Sequence, residues 1–467
     1  MSILQDKIYS IMPFRVQNLM ISAFGYHWQR RRFGGVFEQA LKQFKDRESF
    51  TSQQWKDYQV SELRKLLIHS FETVPLYNKR FKSSGFTLYD LKKVDLDSLY
   101  KIPVLTKDDL RKYGTTSLLS SRREKNGRFF SSSGSTGTPT SILFSDQMHQ
   151  RWSAVFEARI RNWAGVTHQD SRGMIGGRRI IPDAVSKGPY YRYNKAEKQI
   201  YFSAYHISRT TAHDYASALI KYKPVYMTGY AMSNYILASF FLENKVKIPG
   251  LKAVITSSEK LTQEMRDIFK EVYGCKTYDS YSGIEACGLI SENEFGQLLV
   301  SPDVGIIEIL NDEGRPCIPG EEGEIYSTGF LNYDQPLIRY RIGDRVKLAS
   351  DQITMCGRSM MVIDEIAGRV EDIIHGPDGR QMVRFHGIYL NINGLISGQI
   401  IQHTLYDFKL RLQVDQTIFN KVESERLIVS RLKSQLGDIN VQFEYLDEIP
   451  RGPGGKFRAV ISELPRS

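Results

Sequence analysis

Ser131-Ser132-Ser133-Gly134-Ser135-Thr136-Gly137-Thr138-Pro139-Thr140 decides how this chain is read. Every residue of the stretch except Pro139 is Ser, Thr or Gly. Glycine lets backbone N–H groups approach a ligand closely, and the hydroxyls can donate to phosphate oxygens. Apolar Phe129-Phe130 precedes it and Ser141-Ile142-Leu143-Phe144 follows, so it reads as a turn between two strands. A polyphosphate cradle and a flexible Gly/Ser linker are both open; Pro139 and the flanking strands favour the shaped loop. It is not a Walker loop, which needs Gly-Lys-Ser/Thr, and it is not G-x-G-x-x-G.

Outward from this loop, strands alternate with helices. Upstream, Leu63, Leu66, Leu67 and Phe71 recur at three- and four-residue steps, an amphipathic helix over 61–74 that Pro75 should end. Thr106 should cap a short helix with Asp108 and Asp109 in its first turn. Downstream, helices are expected over 149–163, 214–223, 233–243 and 262–273, with apolar strands at 224–229 and 251–256. That alternation implies an α/β fold with a largely parallel sheet. After about Val300 the texture turns β-rich, with hairpins expected for 304–310 with 323–330 and for 345–348 with 352–356. In the last hundred or so residues, Phe408, Leu410, Leu412 and Val414 alternate with polar neighbours, followed by a helix over 420–436 and a strand over 441–445. This β-α-β unit has the size of a small separate domain.

The totals narrow the function classes. The 467 residues are 41% hydrophobic and 25% charged, as in soluble globular proteins. Lys plus Arg number 63 against 52 Asp plus Glu, a net +11 that suits nucleic acid, anionic membrane or an anionic substrate. No stretch beyond the N-terminus is dense in both cations and aromatics, so nucleic acid is disfavoured. Cys275, Cys287, Cys317 and Cys356 form no C-x-x-C pair and no disulfide framework, which fits a reducing cytoplasm. No run of eighteen apolar residues occurs. The apolar stretch 8–26 is broken by Pro13, Arg15, Gln17 and Asn18 and followed by Arg30, Arg31 and Arg32. It reads as a helix packed on its own domain, ahead of an interfacial helix making weak peripheral contact with anionic lipid.

Four further stretches follow the loop in order. In Asp279-Ser280-Tyr281-Ser282-Gly283-Ile284-Glu285 an aromatic able to stack on a base lies four residues before a carboxylate able to hold Mg²⁺; a surface turn is the alternative. In Arg339-Tyr340-Arg341-Ile342-Gly343-Asp344 the carboxylate after Gly343 can accept two hydrogen bonds from a ribose diol, or simply pair with arginine. Gly368-Arg369-Val370-Glu371-Asp372-Ile373-Ile374 is a polar junction suited to a hinge. Pro450-Arg451-Gly452-Pro453-Gly454-Gly455-Lys456 places a cation on a Gly-rich loop, where it can meet negative charge developing at phosphorus.

As an ordered set over most of the chain, these five stretches resemble the motifs of the adenylate-forming superfamily of acyl-CoA synthetases. RKLLIHSFETVPLY, KIPVLTKDDLR, KPVYMTGYAMSNYILASFF and TSSEKLT are similar to the phenylacetate–CoA ligase branch, and with HGPDGRQM after the hinge to the CapK-type proteins of capsule and exopolysaccharide synthesis. The resemblance implies a large N-terminal domain (1–368, its β-rich part about 300–367) and a mobile α+β lid (369–467). It implies ATP and Mg²⁺ as cofactors, a small-molecule carboxylate as substrate, and coenzyme A or a sugar-linked amine or hydroxyl as acceptor. By the same resemblance Ser132, Ser133, Gly134, Ser135, Thr136, Gly137 and Thr138 would grip the β- and γ-phosphates. Tyr281 would stack on adenine, Glu285 would hold Mg²⁺, Asp344 would bind the ribose, and Arg369 would sit near the α-phosphate. Ser258 and Glu259 would line the site, Glu371 would be the hinge, and Lys456 would bridge carboxylate and α-phosphate. Tyr230 is a candidate wall of the substrate pocket. From their own composition, Gly176 to Arg179, with Arg178, and Tyr190 to Tyr193 suit an anionic sugar-containing substrate or form plain surface loops.

The chain departs from the family at Ser282, where glycine is usual, and at Ile284, where a hydroxyl is usual. A catalytically weak nucleotide-binding scaffold of a polysaccharide assembly system is therefore a second reading, and a basic membrane- or nucleic-acid-binding protein a third.

Overall fold

Alternating apolar strands and amphipathic helices bury themselves best as a sheet with helices on its faces. The computed structural model describes residues 9, 11–131, 140–178, 180–181, 188–367, 374–378, 381–382, 386–389, 392–450 and 459–464. Among these, one twelve-stranded sheet is built from strands between Arg172 and Ala367. Its parallel centre runs, in spatial order, Gln199–Ser203, Arg172–Gly176, Tyr226–Tyr230, Ala253–Ser257 and Lys276–Ser282. Helices Ala212–Tyr222, Ala231–Glu243 and Gln263–Tyr273 connect these strands. Burial on both faces explains why Ala253, Val254 and Ile255 form an unbroken apolar run rather than an alternation.

The β-rich part is not a separate sheet. Leu289–Glu292 pairs antiparallel with Lys276–Ser282, and Leu298–Val300, Val362–Ala367, Tyr340–Leu348, Glu322–Gly329 and Gly305–Leu310 continue the same ladder. The hairpin of Gly305–Leu310 with Glu322–Gly329 forms as expected. The one expected for 345–348 with 352–356 does not. Residues 352–356 form no strand, and Val362–Ala367 takes the pairing instead, because its adjacent apolar residues Val362 and Ile363 enter the core on its two faces, which Gln352 and Thr354 cannot fill.

Pro75 does more than end a helix. The amphipathic helix is longer than expected, Ser52–Thr73, started by a Thr51–Gln54 capping box. Pro75 then opens the next helix, Pro75–Ser83, at the position where its missing N–H has no partner to lose. Thr106 caps Lys107–Tyr113 and bonds reciprocally with Asp109. The helix expected over 149–163 begins at Asp146 and turns π-helical at Glu157–Arg161. The N-terminal helix Phe14–Phe33 packs on the protein, burying Gln17, Ile21, Gly25 and Arg31.

Residues 374–464 supply a second small sheet ordered Asn440–Tyr445, Asp407–Val414, Leu395–Gln402 and Val460–Ser462. Helix Lys421–Leu436, capped by Asn420, buries Ile428, Leu432 and Leu436 against Phe408, Leu410 and Leu412. The alternation read in the sequence is that of the buried sheet face.

Candidate active site

Parallel sheets bind ligands beyond the carboxyl ends of their strands, where connections leave room. Three such ends lie side by side here. Tyr230 is in register with Ser257, and Ser257 with Ser280, so Tyr230, the Ser258-Glu259 pair and Tyr281 share one edge. The backbone there is unusual. Gly229 has φ +130°, and a Cβ on it would lie 1.8 Å from the Ile175 carbonyl oxygen, so only glycine fits. Ser258, Ala286 and Arg339 hold left-handed φ of 70°, 50° and 46° without being glycine. Such strain persists where the surroundings over-determine it and clusters at functional sites.

Tyr281 and Asp344 meet. The Tyr281 hydroxyl donates to Asp344 Oδ2 at 2.8 Å, joining two of the singled-out motifs across 63 residues of chain. Burial first, then the Asp344 charge, push the Tyr281 phenol well above its ordinary range, so it stays a donor. Glu285 follows on the turn after Ser282. Desolvation raises its carboxyl pKa, Asp344 adds to the rise, and the charge of Lys107 opposes it. A backbone N–H also favours the charged form, and the buried Tyr340 hydroxyl donates to Glu285 Oε1 at 3.4 Å. A buried carboxylate beside a second carboxylate suits a divalent cation, so the donor set fits Mg²⁺.

Tyr340 and Lys107 have no role in the sequence reading. Tyr340 lies within the RYRIGD stretch, and an alternation placing it inward was its only signal. Lys107 reaches the site because Leu105 bridges to Tyr340: Leu105 N–H donates to the Arg339 carbonyl at 3.2 Å and Arg341 N–H to the Leu105 carbonyl at 2.9 Å. The arginines of RYRIGD are structural. Arg339 makes a bidentate pair with Glu308 and holds the Tyr100 and Ile102 carbonyls, while Arg341 pairs with Glu324.

Glu259 is already engaged. Its Oε2 accepts from Met232 N–H at 2.8 Å, satisfying the N-terminus of Ala231–Glu243, where a carboxylate also meets the helix dipole. Ser258 is exposed. The Tyr230 phenol lies over Gly177, where a Cβ would come within 2.4 Å of its oxygen, and Tyr205 donates to the Gly177 carbonyl at 2.9 Å. Arg178 is exposed, its guanidinium 4.8 Å from the Phe24 ring centre and 5.8 Å from that of Tyr201. The 190–193 stretch is no open loop. Tyr191–Asn194 is the edge strand, and buried Arg192 donates to Gln17 Oε1 at 2.5 Å and the Pro189 carbonyl at 2.9 Å, which removes it as a substrate contact.

The flanks of the Ser/Thr/Gly loop are the expected strands. Arg128–Ser131 pairs antiparallel with Ser141–Phe144, and Ser131 faces Ser141. Gln335 and Asn332 clamp this hairpin: Leu143 N–H donates to Gln335 Oε1 at 2.7 Å, and Asn332 Nδ2 donates to the Leu143 carbonyl at 2.9 Å. The cradle residues Ser132 to Thr138, Arg179, Arg369, Glu371 and Lys456 lie outside the described residues. Their anchors are described. Ala367 pairs with Arg345, so the chain leaves the large sheet beside Asp344, and Val460–Ser462, just after Lys456, pairs parallel with Leu395–Gln402.

Comparison with known proteins gives three findings. Residues 376–463 match the CapK C-terminal domain. Protein CapK of Staphylococcus aureus is 26% identical over 98% of this chain and 99% of its own length, and the phenylacetate-coenzyme A ligase of Escherichia coli (strain K12) is 24% identical over 85% and 92%. Among solved structures, 2-hydroxyisobutyryl-CoA ligase in complex with 2-HIB-AMP and CoA superposes with a TM-score of 0.59 at 19% identity, covering 89% of this chain and 91% of that one.

Proposed function

Because the chain is a homologue of CapK along nearly its whole length and of phenylacetate–CoA ligases over 68% to 89% of it, we propose that it is an AMP-forming ligase. A carboxylate oxygen attacks the α-phosphorus of ATP, the bond to the β-phosphate oxygen breaks, and pyrophosphate leaves an acyl-adenylate. A nucleophile, coenzyme A or an amine or hydroxyl of a sugar, then takes the acyl group and AMP departs. The CapK likeness supports a place in building or modifying a surface polysaccharide.

The observation that carries this reading is the Tyr281–Asp344 hydrogen bond, since it puts a stacking ring and a diol acceptor on one site. The Tyr281 ring offers a face to adenine while its hydroxyl orients Asp344 toward the ribose. Glu285, with Asp344 nearby, would hold Mg²⁺, which when bound supplies positive charge against the phosphates. The Lys107 charge and the Tyr340 hydroxyl both favour the ionised form of the Glu285 carboxylate against its burial. Tyr230, over Gly177, would wall the acyl pocket. Ser132 to Thr138 would take the β- and γ-phosphates, Lys456 the charge developing at the α-phosphate, and turning about Glu371 would remove Lys456 for the second step.

The test is ATP–pyrophosphate exchange across a carboxylate panel, with AMP release measured with and without coenzyme A. Carboxylate-dependent exchange, abolished by Lys456→Ala with ATP binding retained, is the expected result. Tight ATP binding with no exchange for any carboxylate would overturn the enzyme reading in favour of a nucleotide-binding scaffold, which Ile284 and Ser282 would then explain.

A further inference from the structure

The N-terminal helix Phe14–Phe33 has two faces, and only one is used by the fold. Its inner face is fully committed. Arg31 pairs with Asp146 and donates to the Phe144 carbonyl at 2.8 Å; Arg32 pairs with Glu197; Asn18 Oδ1 accepts from Tyr193 N–H at 3.0 Å. Trp28 packs on Phe130 with ring centres 5.9 Å apart.

The outer face is exposed. At 100° per residue Arg15, Val16, Leu19, Ala23, Tyr26, His27 and Arg30 fall within an arc of about 120°, and all seven are exposed. Leu19 is 70% and Tyr26 53% accessible, unusual for such side chains on one stripe. Arg30 lies 4.5 Å from the Tyr26 ring centre, so cation and ring project together. The stripe continues onto the hairpin beside it, where exposed Arg128 reaches His27 at 3.4 Å.

The charge has one sign. From Lys7 to Phe37 the chain contains no Asp or Glu, so no carboxylate of this helix faces outward. Apolar residues set singly among arginines, without a groove, do not form the desolvated pocket that anchors a protein partner. They do match a lipid interface, where apolar side chains and aromatics enter the headgroup layer and arginines reach the phosphates. Among the described residues no helix is long and apolar enough to cross a membrane, so the contact is peripheral.

We infer that this face seats the protein on an anionic lipid bilayer, with Leu19 and Tyr26 entering the headgroup layer and Arg15, Arg30 and Arg128 meeting lipid phosphates. The inference does not rest on the ligase reading. It places the strands Arg128–Ser131 and Ser141–Phe144, against which the same helix packs, next to the membrane surface.

Co-sedimentation of the full chain with sucrose-loaded vesicles tests it, comparing phosphatidylcholine alone with phosphatidylcholine carrying phosphatidylglycerol. Binding should require phosphatidylglycerol and fade as salt rises. Arg15→Gln with Arg30→Gln should lower the partition coefficient roughly thirty-fold, at about tenfold per 1.4 kcal/mol and about 1 kcal/mol for each arginine. Leu19→Asp should abolish detectable binding, with unfolding midpoint and ATP binding unchanged in both variants. Arg122→Gln with Arg209→Gln, an equal charge loss among exposed residues elsewhere, is the control. An equal loss in the control would show diffuse attraction by net charge and overturn the assignment. So would binding indifferent to phosphatidylglycerol, or a dimer in solution that Leu19→Asp splits, since a second copy would then cover the face.

Discussion

Replacing Asp279 with Asn should flatten the pH dependence of stability. Asp279 lies on Lys276–Ser282, two residues before Tyr281, and its own N–H donates to Glu292 Oε2 at 2.8 Å. Glu292 takes both terminal nitrogens of Arg266, at 3.0 and 2.7 Å, so one guanidinium serves two carboxylates and Asp279 is the one left over. Burial, then the Glu292 charge, push the Asp279 carboxyl up to about 7 from 3.8. The folded value exceeds the unfolded one, so the native state keeps a proton the unfolded chain releases. The stability this adds is complete below about pH 4, is lost progressively as pH rises, and is gone above about pH 7. A shift of about 3 units sets a ceiling of about 4 kcal/mol; because Asp279 keeps some solvent contact, screening brings the working figure to about 2 kcal/mol. Asn mimics the protonated acid and cannot titrate. Urea unfolding of both proteins from about pH 4 to about pH 8 should therefore show the variant gaining about 2 kcal/mol on the parent. Parallel profiles would refute the argument, because they would mean that Asp279 is ionised in the native state throughout.

Two more substitutions probe the site. Tyr281→Phe keeps the stacking ring but removes the donor to Asp344; a hydrogen bond to a charged acceptor is worth about 1.5 to 3 kcal/mol, so AMP affinity by calorimetry should fall at least about tenfold, and unchanged affinity would contradict the orienting role. Gly229→Ala forces a Cβ against the Ile175 carbonyl in a backbone conformation closed to other residues; the loss should be at least about 3 kcal/mol in urea unfolding, and an unmoved midpoint would disprove the close approach.

Much of the architecture was legible because its signals are local. Thr106 with Asp108 and Asp109 is a cap whose partners lie within one turn, and Phe408 to Val414 alternates because one face of its strand is buried. The 352–356 strand failed for the opposite reason: short β-propensity says nothing of which segment wins a pairing, and Val362–Ala367 won by burying Val362 and Ile363. Tyr190 to Tyr193 looked like a surface patch because its partner, Gln17, is 175 residues distant from Arg192. For the site, motif order put Tyr281 and Asp344 on the page, but their hydrogen bond depends on the antiparallel strands that carry the chain from Ser282 back to Tyr340.

The backbone explains why Lys107 and Tyr340 escaped notice. Ligand-facing side chains at a sheet edge are aimed by the residues at strand ends and in the turns between them, and here three of those, Ser258, Ala286 and Arg339, are left-handed without the glycine that would announce it. Arg339 is fixed by Glu308 and two carbonyls, and that grip turns Tyr340 inward to Glu285 while Leu105 bridges on and brings Lys107 alongside. Arg339 is thus the bracket that sets a tyrosine and a lysine around the carboxylate. Chemistry at this edge is therefore distributed between residues that touch ligand and residues whose strained backbone aims them, and only the first kind carries a side-chain signature in the sequence.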